Sequence, residues 1–183
     1  QGSPDPVATD NDAVILVPEF FEGNRITVGN VHYIKEPDGL LRADESEFSR
    51  DSVFRYGSSH MPTYIEEKTG GNVKREDVIC IPRWLFTVES RESLYEILRN
   101  LSDNHYVMIN AVDYSELQVF CAIAREVMAE GKRFQFHTAA SFVKAITETP
   151  DKPLLDRSII TSPGKPGLVV IGSHVKKTTA QLN

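Results

Sequence analysis

Residues 13–18 read AVILVP, an unbroken apolar run closed by a proline. A short run with branched residues and no polar alternation has the pattern of a strand covered on both faces, as in the middle of a parallel sheet. Toward the C-terminus, helical and extended signals alternate. Pro62 to Thr69 begins with a helix-compatible proline and ends at Gly70-Gly71, which predicts a short helix. Asp77 to Pro82 (DVICIP) reads as a strand. Ser90 is placed to cap a helix with Glu92 in its first turn and Leu94, Ile97, Leu98 and Leu101 on one face. His105 to Ala111 (HYVMINA) is the next strand. Tyr114 to Glu130 then carries Leu117, Phe120, Cys121, Ala124, Val127 and Met128 at helical spacing and stops at Gly131. Arg133 to Phe136 is a strand, and Thr138 to Thr147 a helix with Phe142, Val143 and Ile146 inward. Pro150 to Gly167, with four prolines, is a linker, and Gly167 to Ile171 a last strand.

This alternation predicts an α/β fold, an open, mostly parallel sheet flanked by helices in a Rossmann-like three-layer arrangement. Between the first strand and the helix at Pro62, Arg25 to Ile34 (RITVGNVHYI) is broken at Gly29-Asn30 as a β-hairpin is, and Pro37-Asp38-Gly39 marks a turn. Leu40 to Pro62 shows neither a strong strand nor a long helix. The region 25–62 is therefore expected to be an irregular insertion with antiparallel β character. Residues 1–12 are polar and linker-like, as inside a longer protein.

Composition narrows the function. Of 183 residues, 40% are hydrophobic and 25% charged, which excludes the disordered and membrane classes. A net charge of -6, from 20 Lys and Arg against 26 Asp and Glu, argues against a nucleic-acid backbone binder. No apolar run is long enough to span a bilayer, and no targeting pattern is present. Cys80 and Cys121 lie in apolar surroundings without metal or redox spacing, so reduced thiols and a cytoplasmic location are expected. His32, His60, His105, His137 and His174 show no HExxH and no Cys/His spacing, so no protein metal site is expected. The absence of GxSxG disfavours a hydrolase, and the absence of GxGxxG after any strand disfavours an NAD-type dehydrogenase.

In open α/β sheets ligands sit outside the carboxyl ends of the strands. Asp113, after one strand, could accept from a ligand hydroxyl, but helix capping is the expected role. His137 to Ser141 offers small residues and a helix start to an anion, or else is a tight junction with Thr138 as cap. Gly172 to Thr179 has the glycine, hydroxyls and cations of a phosphate cradle without being a Walker A loop. In Glu45 to Asp51 (ESEFSRD), the neighbours Phe48, Phe54 and Tyr56 could fix Glu47, Arg50 and Asp51 in place; a solvated loop is the ordinary alternative. Arg25 could bind a carboxylate in bidentate fashion or pair with Glu47 or Asp51.

The runs GNRITVGNVHYI (23–34), ESEFSRDSVFRYGSSHMPTYIEEKTGG (45–71), FHTAASFVKA (136–145) and GLVVIGSHVKKTTAQL (167–182) together resemble the four-carbon acid sugar kinase family, formerly a domain of unknown function. The forms in plant and fungal multidomain proteins are especially similar. The resemblance runs from Val14 to Leu182. It implies an N-terminal sugar-acid-binding domain and a C-terminal nucleotide-binding domain that phosphorylate threonate, erythronate or 2-oxo-tetronates with ATP and Mg²⁺. On that basis residues 13–150 are part of the sugar-acid-binding domain, 151–166 a linker, and 167–183 a joining strand or the start of the nucleotide-binding domain. The family's Asp-Asp-Phe-Thr-Gly signature, its Arg-Gly-Asp-Ser-Thr-Leu-Arg-Gly-His block and its glycine-rich nucleotide motifs are not in the sequence, so the isolated chain is expected to be an inactive fragment needing the remaining kinase domain.

Carried over by position, Arg25, Glu47, Arg50, Asp51, His137, Thr138 and Ser141 fall in blocks implied to serve substrate, and Gly172, Ser173 and Thr178 in a block implied to serve nucleotide or phosphate. The resemblance names no general base. His137 departs from the family's usual Arg, and a neutral imidazole holds an anion less well than a guanidinium. The implied partner is a small sugar acid, with neither nucleic acid nor membrane, and an open strand edge makes self-association an expectation. The competing expectation is a module of the same fold that binds a small acid without chemistry.

Overall fold

The apolar run at Ala13–Val17 forms β1, which lies in the interior of a parallel sheet. The computed structural model describes residues 10–46, 49, 55–153, 156, 158, 168, 170–172, 178 and 180. The chain divides into two units, Gln1–Pro150 and Asp151–Asn183. Glu47, Arg50, Asp51 and Ser173 lie outside the described residues.

In the first unit β1 is followed by the strands β2 (Arg25–Val28), β3 (Val31–Glu36) and β4 (Gly39–Arg42), then helix α1 (Met61–Lys68). Next come β5 (Ile79–Ile81), α2 (Arg91–Arg99), β6 (His105–Ile109), α3 (Tyr114–Ala129), β7 (Phe134–Thr138) and α4 (Ala140–Ile146). Four strands make the parallel sheet in the order β5-β6-β1-β7, and the other three make an antiparallel sheet in the order β2-β3-β4. The α/β architecture with an antiparallel insertion is therefore the one the alternation predicts.

Side chains alternate across β1, and the two faces meet different surroundings. Ala13, Ile15 and Val17 point into the main core with Ile81, Val107 and Ile109, against Leu94 and Leu98 of α2, Phe120 of α3 and Phe142 of α4. Each large side chain buried there contributes about 1.5–3 kcal/mol. On the opposite face a smaller cluster forms, in which Met61 and Ile65 of α1, with Val78, pack against Met108 and Leu16.

Local chemistry explains the ends. Gly29 and Asn30 have φ of 58° and 66°, the pair of left-handed residues that a two-residue hairpin turn requires. The Asp113 carboxylate accepts from the backbone N–H of Glu116 at 3.1 Å, so capping is its role. Asp113→Ala should cost about 1 kcal/mol, read from the urea midpoint; no change would mean that α3 does not depend on the cap.

Several expectations need correction. Leu40 to Arg42 belongs to β4, because the turn at Pro37-Asp38 folds it onto β3 with Leu41 opposite Ile34. β7 runs two residues past Phe136, so His137 and Thr138 end the strand. The residue capping α4 is then Ala139, with no side-chain cap. Val143 is 54% exposed and Ala145 is buried in its place. Phe142 and Val143 are about 100° apart around a helix, so both cannot face the same core. Of the last expected strand, the described residues Leu168, Val170 and Ile171 are in no strand.

Candidate functional site

A cleft of about 1070 Å³ opens on the sparsely covered face of the parallel sheet. Its floor is Val14 and Leu16 of β1, Tyr106 of β6, and Gln135 and His137 of β7. The register makes this set, since Val14 stands opposite both Tyr106 and Gln135 and Leu16 opposite His137. One wall is α1, presenting Tyr64, Ile65 and Lys68. The other is the β2–β3 hairpin with Arg25 and His32, and Tyr56, Ser58 and Ser59 close the rim.

The hairpin is held to the sheet end by the Thr27 N–H donating to the Ala111 carbonyl at 3.1 Å. The Asn30 N–H donates to Asn110 Oδ1 at 2.7 Å, and Asn110 Nδ2 returns a bond to Asn30 Oδ1 at 2.9 Å. The His32 N–H reaches the Ser59 carbonyl at 2.8 Å. The rim is braced in turn. Asp44 accepts from the Ser59 N–H at 2.8 Å and from Arg42, whose guanidinium holds its carboxyl well below the usual range. The Tyr56 hydroxyl donates to the Ala43 carbonyl at 2.9 Å.

The lining carries two cations, Arg25 and Lys68, and two histidines, but among its described residues no carboxylate. That is a marked bias in a chain with 26 acidic residues against 20 basic ones. Lys68 Nζ donates to the Arg55 carbonyl at 2.8 Å and lies 5.6 Å from the centre of the Tyr64 ring. Burial, and then the charge of Arg25, push the His32 imidazole down to about 4, so it is neutral at physiological pH. Among the described residues no group of three His, Cys, Asp or Glu side chains could hold a metal ion, and no helix is long and apolar enough to cross a membrane.

Of the residues marked out by sequence, Arg25, His137 and Thr138 line this cleft. Ser141 does not. Fully buried, it accepts from the Phe21 N–H at 2.9 Å and donates to Glu22 Oε2 at 3.0 Å, bracing the loop after β1 against α4. Gly172 and Thr178 belong to the second unit. Sequence reading passed over Lys68, His32, Tyr64, Tyr106 and Gln135. The only signal of His32, Tyr106 and Gln135 was the alternation of strand residues, which becomes a surface once the register is known, while Tyr64 and Lys68 stand on α1.

A family model described as a sugar-binding N-terminal domain matches residues 6–146. The chain belongs to this sugar-binding family. Solved structures similar to the sugar-binding chain include a Salmonella typhimurium LT2 protein carrying a provisional tRNA synthase description, at 16% identity and TM-score 0.53, over 77% of this chain and 30% of that one. A Haemophilus influenzae protein of the DUF1537 family matches at 17% identity and TM-score 0.50, over 74% and 29%. A DUF1537 domain from Bordetella bronchiseptica, solved with bound citrate as a domain-swapped dimer, matches at 17% identity and TM-score 0.51, also over 74% and 29%. At these identities the likeness is one of fold, and the sugar-binding chain spans about 30% of the length of those proteins. No curated protein matches it.

Proposed function

We propose that the chain is the substrate-binding part of an ATP-dependent kinase acting on four-carbon acid sugars of the threonate, erythronate or 2-oxo-tetronate type. The observation that carries this reading is the cationic lining of a cleft in a sugar-binding family fold, with no carboxylate among its described residues. Arg25 would grip the substrate carboxylate, with Lys68 adding charge from the facing wall. The hydroxyls of Ser58, Tyr64 and Tyr106 and the amide of Gln135 are of the kind that reads sugar hydroxyls. Citrate, held by the Bordetella bronchiseptica protein, is a small hydroxylated polycarboxylate of similar chemistry. ATP and Mg²⁺ would be brought by the remaining kinase domain. The described residues offer no set of ligands for the metal. The contribution of this chain is to bind and orient the substrate, which is most of what phosphoryl transfer asks of a protein. Self-association through an open sheet edge is part of the reading.

Calorimetric titration with threonate and erythronate, with threitol as the uncharged control, tests the assignment. The acids should bind and threitol should not. Arg25→Ala should weaken the acids by about tenfold, the loss expected for one charge-assisted hydrogen bond. Equal affinity for threitol, or an unchanged Arg25→Ala, would overturn it.

A further inference from the structure

Glu19 stands just past the end of β1, 0% exposed, and neither carboxyl oxygen closes a hydrogen bond of full geometry. A charged carboxylate sealed in this way, with no cation paired to it among the described residues, is strongly disfavoured, and the group resides there as the neutral acid. Burial pushes its pKa up to about 8, against the smaller opposing effects of the Thr27 hydroxyl and of the backbone N–H groups of Glu19 and Ala111. The charge of Glu116 on α3 adds to the upward shift. Thr27, itself fully buried on β2, has its Oγ1 3.1 Å from His32 Nδ1. His32 lines the cleft, and its other ring nitrogen, Nε2, has no partner among the described residues and is not among the sealed polar atoms.

We propose that Glu19, Thr27 and His32 form a proton relay that opens on the cleft at His32 Nε2 and decides whether that nitrogen donates or accepts a hydrogen bond. The N–H groups beside Glu19 can only donate, and the Thr27 hydroxyl is the neighbouring side chain that bears on its carboxyl, so in the relay the proton of the neutral acid is directed to Thr27 Oγ1. The Thr27 hydroxyl then donates to His32 Nδ1, and the imidazole carries its proton on Nε2, a donor toward a ligand oxygen. When the acid ionises, its proton passes to Thr27, the Thr27 proton to Nδ1, and the Nε2 proton leaves into the cleft. One proton is released in all, His32 is neutral before and after, and Nε2 has become an acceptor. Arg25 on the neighbouring strand opposes any imidazolium. His60, on the segment bridged to Val31, has Nδ1 2.9 Å from Thr63 Oγ1 and stands outside the relay. His32 and Glu19 are positioning residues in this scheme, and the use of the donor by a substrate rests on the acid-sugar reading.

The test reads the ring nitrogens of His32 by ¹⁵N NMR in the ligand-free chain at pH 6.5 and 9. The wild type should carry the proton on Nε2 at the lower pH and on Nδ1 at the higher. Glu19→Gln, whose amide donates to Thr27 at every pH, should keep Nε2–H throughout, and Thr27→Val should abolish the exchange. A wild type with one tautomer at both pH values would overturn the relay, as would an exchange surviving in Glu19→Gln. Should that variant not fold, an exchange persisting in Thr27→Val overturns it equally. Threonate affinity should fall about threefold to tenfold from pH 6.5 to 9 in the wild type, the worth of one hydrogen bond, and hold in Glu19→Gln. A chain that shows the exchange yet binds no acid sugar upholds the relay and rejects the substrate reading.

Discussion

Between pH 6.5 and 8 the first unit is expected to lose about 1.2 kcal/mol of stability, with a nearly flat stretch from pH 4.5 to 6.5 below it. Two buried groups produce this shape. Glu19 keeps its proton in the folded state up to about 8 but gives it up near 4.5 when unfolded. In that window the native state binds one proton more, and stability falls as pH rises. His32 behaves oppositely: folded, it resists protonation until about 4, whereas the unfolded ring takes a proton near 6.5. Between those values the unfolded state binds one proton more, and stability rises with pH. From 4.5 to 6.5 the two slopes cancel, and above 6.5 the His32 rise fades and the Glu19 loss takes over, approaching about 1.4 kcal/mol per pH unit before it levels off near 8. Glu19→Gln should remove the alkaline loss and uncover the rise between 4 and 6.5. Urea midpoints measured at half-unit steps decide the matter, and a wild-type curve level from 6.5 to 8 would show that Glu19 is not held neutral. Asp12 and Asp113, whose pKa values are lowered chiefly by a backbone hydrogen bond from Arg133 and a side-chain one from Ser115, add a small loss at the acid end, reduced by their exposure.

Phe120→Ala is expected to cost about 3–5 kcal/mol, a large share of the roughly 5–15 kcal/mol that holds an ordinary domain together. Phe120 is 0% exposed at the centre of α3. Its ring lies edge-on to Phe86 with centroids 6.2 Å apart and tilted against Phe142 at 6.4 Å. Truncation would remove contacts to the layer beneath α2, α3 and α4 together, and none of the three can close the gap alone. The control is Val143→Ala on the exposed side of α4, expected within about 0.5 kcal/mol of wild type. Chemical denaturation of both compares them, and similar midpoints would mean that the helical face is loosely packed.

Patterns that are local in the chain survive folding, and patterns that need a partner do not show beforehand. The unbroken AVILV, the Gly29-Asn30 break and the seven-residue rhythm of α3 each carry their own physics, and each is found where it is read. β4 was missed because a four-residue strand has almost no periodicity and exists only through its pairing with β3. Half of the cleft was hidden for a related reason. Gln135 and Tyr106 look like ordinary residues of a strand until the register sets both beside Val14 on the face that carries the cleft. Lys68 resembles any cation in the last turn of a helix. Glu19 was the least legible, since a glutamate after a proline reads as loop surface, and only the fold of β2 across Ala111 seals it.

The bonds that pin the β2–β3 hairpin to Asn110, Ala111 and Ser59 have a further meaning for recognition. A loop that must be ordered by its ligand gives back part of the binding energy as lost freedom, commonly about 0.5–1.5 kcal/mol for each side chain immobilised. Here that ordering is completed when the domain folds, so Arg25 and His32 stand on a preorganised wall. A ligand entering such a wall is selected by its fit to fixed positions, and discrimination between closely similar acids becomes a matter of geometry more than of adaptation.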